Sequence, residues 1–536
     1  MRYSDLSVLV ADDFSSFRST VNTMLMNLGV LDVEMASNGE EVIEKCGLKS
    51  YDVILCDYDL GPGRNGQHVL EELRFGKMMA PTSVFIMVSA EASRNIVMSA
   101  YDCEPDDYLM KPITGMMLEQ RVHRLLTQKD VLRPVFSAFK KGDIQTATDM
   151  LIDLSIAEDR HSVAAQKLLG ELFIKTGELQ KAEKLYTRAL EVRQVDWARL
   201  GLAHVKQLKG DLQTAGEYLQ KIVEESPLYL PAYDVLADNW DKQGDKKEVQ
   251  ETIARAIEVS PMSILRQKRL AKVANENEDA VSAVEALRKA IKLGKLSCHG
   301  SPQDSFDLAR TVSTAMEKDL NLPAGAIAEA VEVLDSVKEE FALSDEEQSQ
   351  ISLLQGRVLA NEGKTGAAQE KLRHALHDMY SDELDIDMDV DRVTLLLSLG
   401  ENEQAEQLLE FLQEKYKDDQ PALEKIDKFL SEPASESNRE LVAQVNREGI
   451  DLYSVGDFDR ALEYFERARK LFPKHVGIQL NIVQSLIGKM KADPENDQLQ
   501  EECHSTLILV ESLVDKHHPQ FGRFSRLRRR SEVFLR

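Results

Sequence analysis

The chain has 536 residues, too many for a single hydrophobic core, and its composition (43% hydrophobic, 29% charged) is that of a globular protein with three or four units. Its 66 Lys and Arg stand against 92 Asp and Glu, a net charge of −26, which argues against general nucleic-acid affinity because such affinity rests on neutralising phosphates with cations. Five cysteines without paired spacing exclude a disulfide framework and a zinc site, and no stretch approaches the ~18 apolar residues of a membrane span. The first acids come too early for a signal sequence, so a cytoplasmic chain is expected.

The first predicted strand, Ser7–Ala11, runs into Asp12 and Asp13. A helix follows over Phe14–Leu28, a strand over Val33–Ala36, and a helix over Gly39–Cys46 with Asn38 as its cap. The apolar run Val53–Cys56 reads as a buried parallel strand; it stops at Asp57, after which Gly61, Pro62 and Gly63 turn the backbone. The loop from Gly61 to Asn65 is glycine-rich without an evident chemical role. Further strands at Ser83–Val88 and Tyr108–Met110 end at Ser89-Ala90 and Lys111-Pro112, and a fifth helix covers Thr114–Leu126.

Five strand–helix units predict an α/β doubly wound five-stranded parallel sheet. Parallel strands share a direction, so their polar ends gather on one edge, where open sheets of this kind place a ligand crevice. Asp12, Asp13 and Asp57 make an oxygen-rich site suited to Mg²⁺, Lys111 adds a point charge for a phosphoryl group, and Ser89 offers a hydroxyl donor. Asp57 is a candidate nucleophile. Taken singly, an Asp after a strand is a turn former or a helix cap, and Tyr108 and Cys56 read as core. That simpler account fails when every strand end carries a required group.

With these positions in place, the stretch from about Ser4 to Lys129 resembles a response-regulator receiver domain, with a flavodoxin-like fold. The resemblance implies that Asp57 is the phosphoryl acceptor, Asp12 and Asp13 the magnesium-binding pair, Lys111 the phosphate-contacting cation, and Ser89 and Tyr108 the switch pair. It also places Asp59 and Glu91 on the path of the hydrolytic water, as residues that tune phosphoryl lifetime. The implied donor is a sensor histidine kinase or a phosphotransfer protein.

From Leu132 strand signals disappear, and a Gly followed by an acid recurs at Gly142, Gly177, Gly210 and Gly244, a period of roughly 34 residues that indicates a solenoid of helix pairs. Small residues at Gly170, Ala182, Ala203, Ala215 and Ala237 allow close helix packing, and Pro227 and Pro261 stop the second helices. A further unit without the Gly lies at Ile264–Leu293. This all-α helical-repeat solenoid resembles the tetratricopeptide repeat family over Val131–Leu293, with a second copy at Arg439–Pro473. Degenerate copies are expected at Gln348–Met379 and Val393–Tyr416, an irregular helical array being the alternative between Ser297 and Ser435.

The expected division is a receiver at 1–129, repeats at 130–295, degenerate repeats at 296–430, and a C-terminal repeat with capping helices at 431–536. Leu296–Asp304 and Ser431–Asn438 read as bends or mobile joints. Ser381–Asp391 reads as a solvated acidic bend, since it lacks the glycine and terminal Glu of a calcium-binding loop. The segment Phe521–Arg536, rich in Arg, reads as a capping helix, with a basic handle for an acidic partner, lipid or RNA as the alternative.

The expected function is that of a response regulator, not an enzyme beyond its own phosphoacceptor chemistry, whose solenoid binds a protein partner. The rival readings are a phosphorylation-independent scaffold and a nucleic-acid-binding regulator acting through the Arg-rich end.

Overall fold

The computed structural model describes residues 2–90, 93–157, 161–375 and 385–534. It divides into two compact units, Met1–Ala342 and Leu343–Arg536.

The first unit opens with strands β1 (Ser7–Ala11), β2 (Asp32–Ala36), β3 (Val53–Asp57), β4 (Val84–Ser89) and β5 (Asp107–Met110). All pair in parallel, in the order β2-β1-β3-β4-β5. Between them lie α1 (Ser15–Asn27), α2 (Gly39–Leu48), α3 (Gly66–Phe75) and α4 (Arg94–Asp102), followed by α5 (Gly115–Lys140). Alternate residues of the strands serve opposite faces. Val8, Val10, Val53, Leu55, Val84 and Ile86 pack on one side with Val21 and Leu25 of α1 and with Leu118 and Val122 of α5. Leu9, Ile54, Phe85 and Met87 pack on the other with Val42 of α2 and with Val69, Leu70 and Leu73 of α3. The sheet is thus covered on both faces, as parallel sheets require. Asn38 caps α2 by accepting from the Glu41 amide.

The fifth helix differs from the expectation of an end at Leu126. It continues to Lys140 with Pro134 inside it, and its second half packs against α6 (Ile144–Ile156) as the first helix of the first repeat. The pairs that follow are α7 (Ser162–Lys175) with α8 (Leu179–Val192), α9 (Asp196–Leu208) with α10 (Leu212–Glu225), and α11 (Leu230–Gln243) with α12 (Lys246–Val259). After them come α13 (Ile264–Glu276) with α14 (Ala280–Gly294), and α15 (Pro302–Glu317) with α16 (Ala326–Glu340).

The recurring glycines have a backbone reason. Gly142, Gly177, Gly210 and Gly244 all take φ between +75° and +83°, a left-handed turn that favours glycine. In the unit that lacks the Gly, Glu278 occupies the same conformation at φ +59° and its carboxylate pairs with Lys318 at 2.6 Å. The small residues act as expected. Tyr186 of α8 is 3% exposed because Gly170 and Gly201 make room for its ring, and a Cβ at either would collide with it.

The stretch Leu296–Asp304, expected as a bend or a mobile joint, is held by side-chain contacts. The His299 carbonyl accepts from Lys268 at 2.6 Å and Asp304, 4% exposed, pairs with Lys268 at 2.8 Å.

The second unit is helical throughout its described residues: α17 (Asp345–Asn361), α18 (Thr365–Ala375), α19 (Ile386–Ser398), α20 (Asn402–Lys415), α21 (Gln420–Asp427), α22 (Glu436–Ser454), α23 (Phe458–Leu471), α24 (Val476–Met490), α25 (Asp497–Leu513) and α26 (Phe521–Ser531). Gly363, Gly400 and Gly456 repeat the left-handed turn. The segment Ser431–Asn438, which runs into the first turn of α22, folds around Asp427, which accepts from the Ala434 amide, the Ser435 hydroxyl and the Asn438 side chain.

One expectation is overturned here. Of the acidic stretch read as a solvated bend, Ser381–Glu383 and Leu384 lie outside the described residues, but the remainder starts α19 and buries Asp389 and Asp391 to 1% and 0% exposure. Lys415 and Tyr416 bind Asp389 at 2.8 and 2.9 Å, and Arg357 binds Asp391 at 2.5 Å. Their counter-charges come from other helices, which is why the local sequence gave no sign of burial. Phe524 and Leu527 are buried against the core built on α24, and α26 packs on α24 and α25. Arg536 lies outside the described residues.

Candidate functional site

The carboxyl edge of the sheet is held by backbone hydrogen bonds that extend the strand ladder. The amides of Asp12, Tyr58 and Lys111 donate to the carbonyls of Ala36, Val88 and Ser89 at 3.2, 2.7 and 2.8 Å. Together with the β1–β3 pairing, these bonds set the ends of β1, β3, β4 and β5 side by side and bring Asp12, Asp57, Ser89 and Lys111 to one edge. Gly66, the first residue of α3, lies so close to Asp57 that a Cβ there would strike the Asp57 carbonyl oxygen and come within 2.8 Å of the Met87 sulfur. Only glycine allows this approach.

Asp12 (0% exposed) and Asp57 (5%) are buried, while Asp13 and Asp59 are exposed. One carboxylate oxygen from each of Asp12, Asp13 and Asp57 can be chosen so that all three lie within 4.8 Å of one another. Three hard oxygen donors at that spacing, two buried and one open to water, fit a small divalent cation that keeps part of its hydration shell. Lys111 bridges two of them, donating to Asp12 at 2.6 Å and to Asp57 at 2.5 Å. Burial pushes the Asp57 carboxyl up to about 6; Lys111 opposes the shift and Asp12 adds to it. Burial alone would lower Lys111, but its hydrogen bonds to Asp12 and Asp57 outweigh this and hold the ammonium above its ordinary value.

The sequence-based residue set is thus largely assembled at one edge. Ser89 is 3% exposed at the end of β4; Tyr108, half-buried on β5, stacks on Tyr101 with ring centroids 5.9 Å apart. Asp59 accepts from the Gly61 amide at 3.1 Å and so braces the turn after β3. Glu91 lies outside the described residues.

Sequence reasoning missed three neighbours. The Phe17 ring sits 4.2 Å from the Lys111 ammonium, Arg18 donates to the Asp12 carbonyl at 2.5 Å, and Gly66 gives Asp57 its close backing. Phe17 and Arg18 fall on the first turn of the helix that follows the acid pair, and this adjacency was the available signal. Around the site the surface carries exposed apolar side chains: Phe14 (64%), Met116 (70%) and Met117 (40%).

Comparison with known proteins bears on this edge directly. The family model of the response regulator receiver domain matches residues 8–123. Those residues are a response-regulator receiver domain. The receiver is 26% identical over 120 residues to the chemotaxis protein CheY of Pseudomonas aeruginosa, covering 22% of this chain and 95% of that protein. It is 26% identical over 121 residues to the chemotaxis protein CheY-3 of Vibrio cholerae, covering 23% and 92%. Among solved structures, the receiver domain of the Francisella response regulator 1452 is 29% identical, covering 23% of this chain and 98% of that one, with a TM-score of 0.21.

Behind the receiver, tetratricopeptide repeat models match residues 168–196 and 446–487, which correspond to α7–α8 and to α22–α24. The chain therefore joins a receiver homologous to CheY-like response regulators to tetratricopeptide repeats. No helix among the described residues is long and apolar enough to cross a membrane.

Proposed function

We propose that this protein is a two-component response regulator, phosphorylated on Asp57 by a sensor histidine kinase or a phosphotransfer protein, whose repeats deliver the output by binding another protein. The observation that carries the reading is the trio Asp12, Asp13 and Asp57 within 4.8 Å, with Lys111 bridging two of its members. Asp12, Asp13 and Asp57 would hold Mg²⁺, which when bound supplies charge neutralisation for the phosphoryl oxygens.

The chain's own groups do the rest. An Asp57 oxygen forms a bond to phosphorus as the phosphorus–nitrogen bond of a phosphohistidine breaks, and the departing imidazole takes up a proton from water. Lys111 contacts the transferred group, so catalysis is placement and charge rather than covalent assistance. The exposed Phe14, Met116 and Met117 offer the donor an apolar landing beside the acceptor. Once Asp57 is charged, Ser89 moves toward the phosphoryl oxygen and Tyr108 follows, biasing a two-state equilibrium. Asp59 and Glu91 tune the lifetime of the adduct. The unbroken α5 is one route to the solenoid, since movement at its receiver end is carried without a joint into the first repeat.

Incubation of the full chain with Mg²⁺ and acetyl phosphate tests this. Intact-mass measurement should show one acid-stable, base-labile phosphoryl group on the wild type and none on Asp57→Ala. An unmodified wild type, or an adduct that persists in Asp57→Ala, overturns the reading.

A further inference from the structure

The receiver touches the solenoid at a second place besides α5. Met98 of α4, 9% exposed, is a member of the apolar cluster that holds Ala203 of α9 and Tyr233 and Leu236 of α11. One helical turn further on the same face, Asp102 accepts from the Arg266 guanidinium of α13 at 2.6 Å and from the Ser260 hydroxyl at 2.9 Å. Arg266 is held in place by a second acid, Asp234 of α11, through two hydrogen bonds of 2.9 and 2.6 Å. Both Arg266 and Ser260 are buried.

The helices involved, α9, α11 and α13, are the first members of three successive pairs. An apolar side chain and a carboxylate four residues apart, laid into a groove of other helices, is the pattern by which a helix is recognised as a ligand. The rim of this contact is thinner. Arg64, from the glycine-rich loop after β3, donates to the Leu296 carbonyl at 3.2 Å, Ser297 donates to Glu71 at 3.2 Å, and Phe75 meets His299 edge-on at 5.7 Å. A cavity of about 610 Å³ remains between Glu71, Phe75, Asp102, Arg266, Arg269 and His299. A contact with two anchors and a thin rim is one that a tether can close and a competitor can open, because a short connection supplies an effective concentration in the mM range.

We infer that the groove across α9, α11 and α13 is the solenoid's ligand site, filled in the unmodified chain by the receiver's own α4. The partner it accepts once α4 leaves is an amphipathic helix that presents an apolar side chain and, four residues on, a carboxylate to Arg266. This deepens the proposed output by naming its surface and its ligand. It rests on that reading only for what drives α4 away, since β4 leads from Ser89 toward α4.

The test uses the full chain and, as probe, a fluorescent synthetic peptide of residues 93–105, with binding read by anisotropy. Wild type should bind the peptide at least tenfold more weakly than Met98→Ala/Asp102→Ala, whose own α4 has lost both anchors. Adding Arg266→Ala to that double variant should remove the gain, and a probe carrying Asp102→Ala should bind at least tenfold more weakly. The milder Asp102→Asn chain, with its circular dichroism compared to wild type, should show the same direction if the double variant misfolds. Equal binding to wild type and to the loosened chains, or a gain that survives Arg266→Ala, overturns the inference. Peptide competition as expected in a chain whose Asp57 accepts no phosphoryl group keeps the groove and removes the receiver chemistry; the reverse pattern removes the groove alone.

Discussion

An Asp57→Asn chain is expected to unfold at a higher temperature than wild type near neutral pH, by a margin worth about 1–3 kcal/mol in the first unit, without added metal. The reason is the packing of two buried carboxylates against a single ammonium. Asp57 is 5% exposed and lies with Asp12 around Lys111, and burial raises its carboxyl from 3.8 to about 6. A raised folded-state value means that the native state holds its proton more tightly than the unfolded chain does. Asp57 therefore contributes its full stability below about pH 4, loses it as the pH rises through about 6, and above that leaves the fold with the whole penalty of an ionised buried acid. Asn keeps the shape without the charge and keeps its ion pair partner Lys111 on Asp12. The advantage of Asn should shrink to nothing as the pH falls toward 4.

Mg²⁺ should reverse the order. A ligand that binds only the native state stabilises by about 2.7 kcal/mol at one hundred times its dissociation constant, and Asn supplies a poorer oxygen than a carboxylate. Melting curves with and without chelator, at several pH values, check both statements. A wild type that is more stable than Asp57→Asn at neutral pH in chelator contradicts this account of the site's electrostatics.

The second large effect is expected far from the sheet. Arg357→Ala should destabilise the second unit by about 3–5 kcal/mol, because it removes a cation 2.5 Å from Asp391 where both side chains are almost fully enclosed, at 3% and 0% exposure. Asp389 of the same helix α19 forms a second pair with Lys415 of α20, at 1% and 7% exposure. Burial pushes Asp389 above its ordinary value although Lys415, Tyr416 and Arg392 all favour the anion. Replacing Arg357 and Asp391 together with apolar residues of similar size should come out near neutral, since the desolvation of both charges is then avoided. Chemical denaturation of the two variants against wild type measures this. A loss below about 1 kcal/mol for Arg357→Ala would show that the pair is solvated.

Much of the α/β half was legible because the central strands β1, β3 and β4 carry their own record of burial. Val53–Cys56 is apolar throughout and stops at an acid, and this is how β3 sits in the sheet, covered on both faces with Asp57 at its end. The solenoid was legible through a backbone constraint: glycine recurs where φ must be positive, and the unit at Ile264–Leu293, where Glu278 takes that conformation instead, was legible through its small residues.

What the sequence concealed is interaction at long range. Nothing near Leu126 indicates that α5 should stop, and its continuation to Lys140 is decided by the partner it finds in α6. Asp389 and Asp391 look solvated until Lys415 and Arg357, 26 and 34 positions away, arrive as counter-ions. Arg266 and Asp102 are 164 positions apart, and the glycine-rich loop after β3 gains a role only when Arg64 meets Leu296 across 232.

The central claim is that charge at Asp57 is felt in the repeats. Hydrogen exchange in the full chain, with beryllofluoride and Mg²⁺ as a stable phosphoryl analogue and Asp57→Ala as control, tests it most directly. The expected result is faster exchange in residues 97–104, the end of α4 and the turn after it, and in 260–269 around the start of α13 on addition of the analogue to wild type, with no change in Asp57→Ala. Analogue bound at Asp57 while both segments exchange as before would contradict the account.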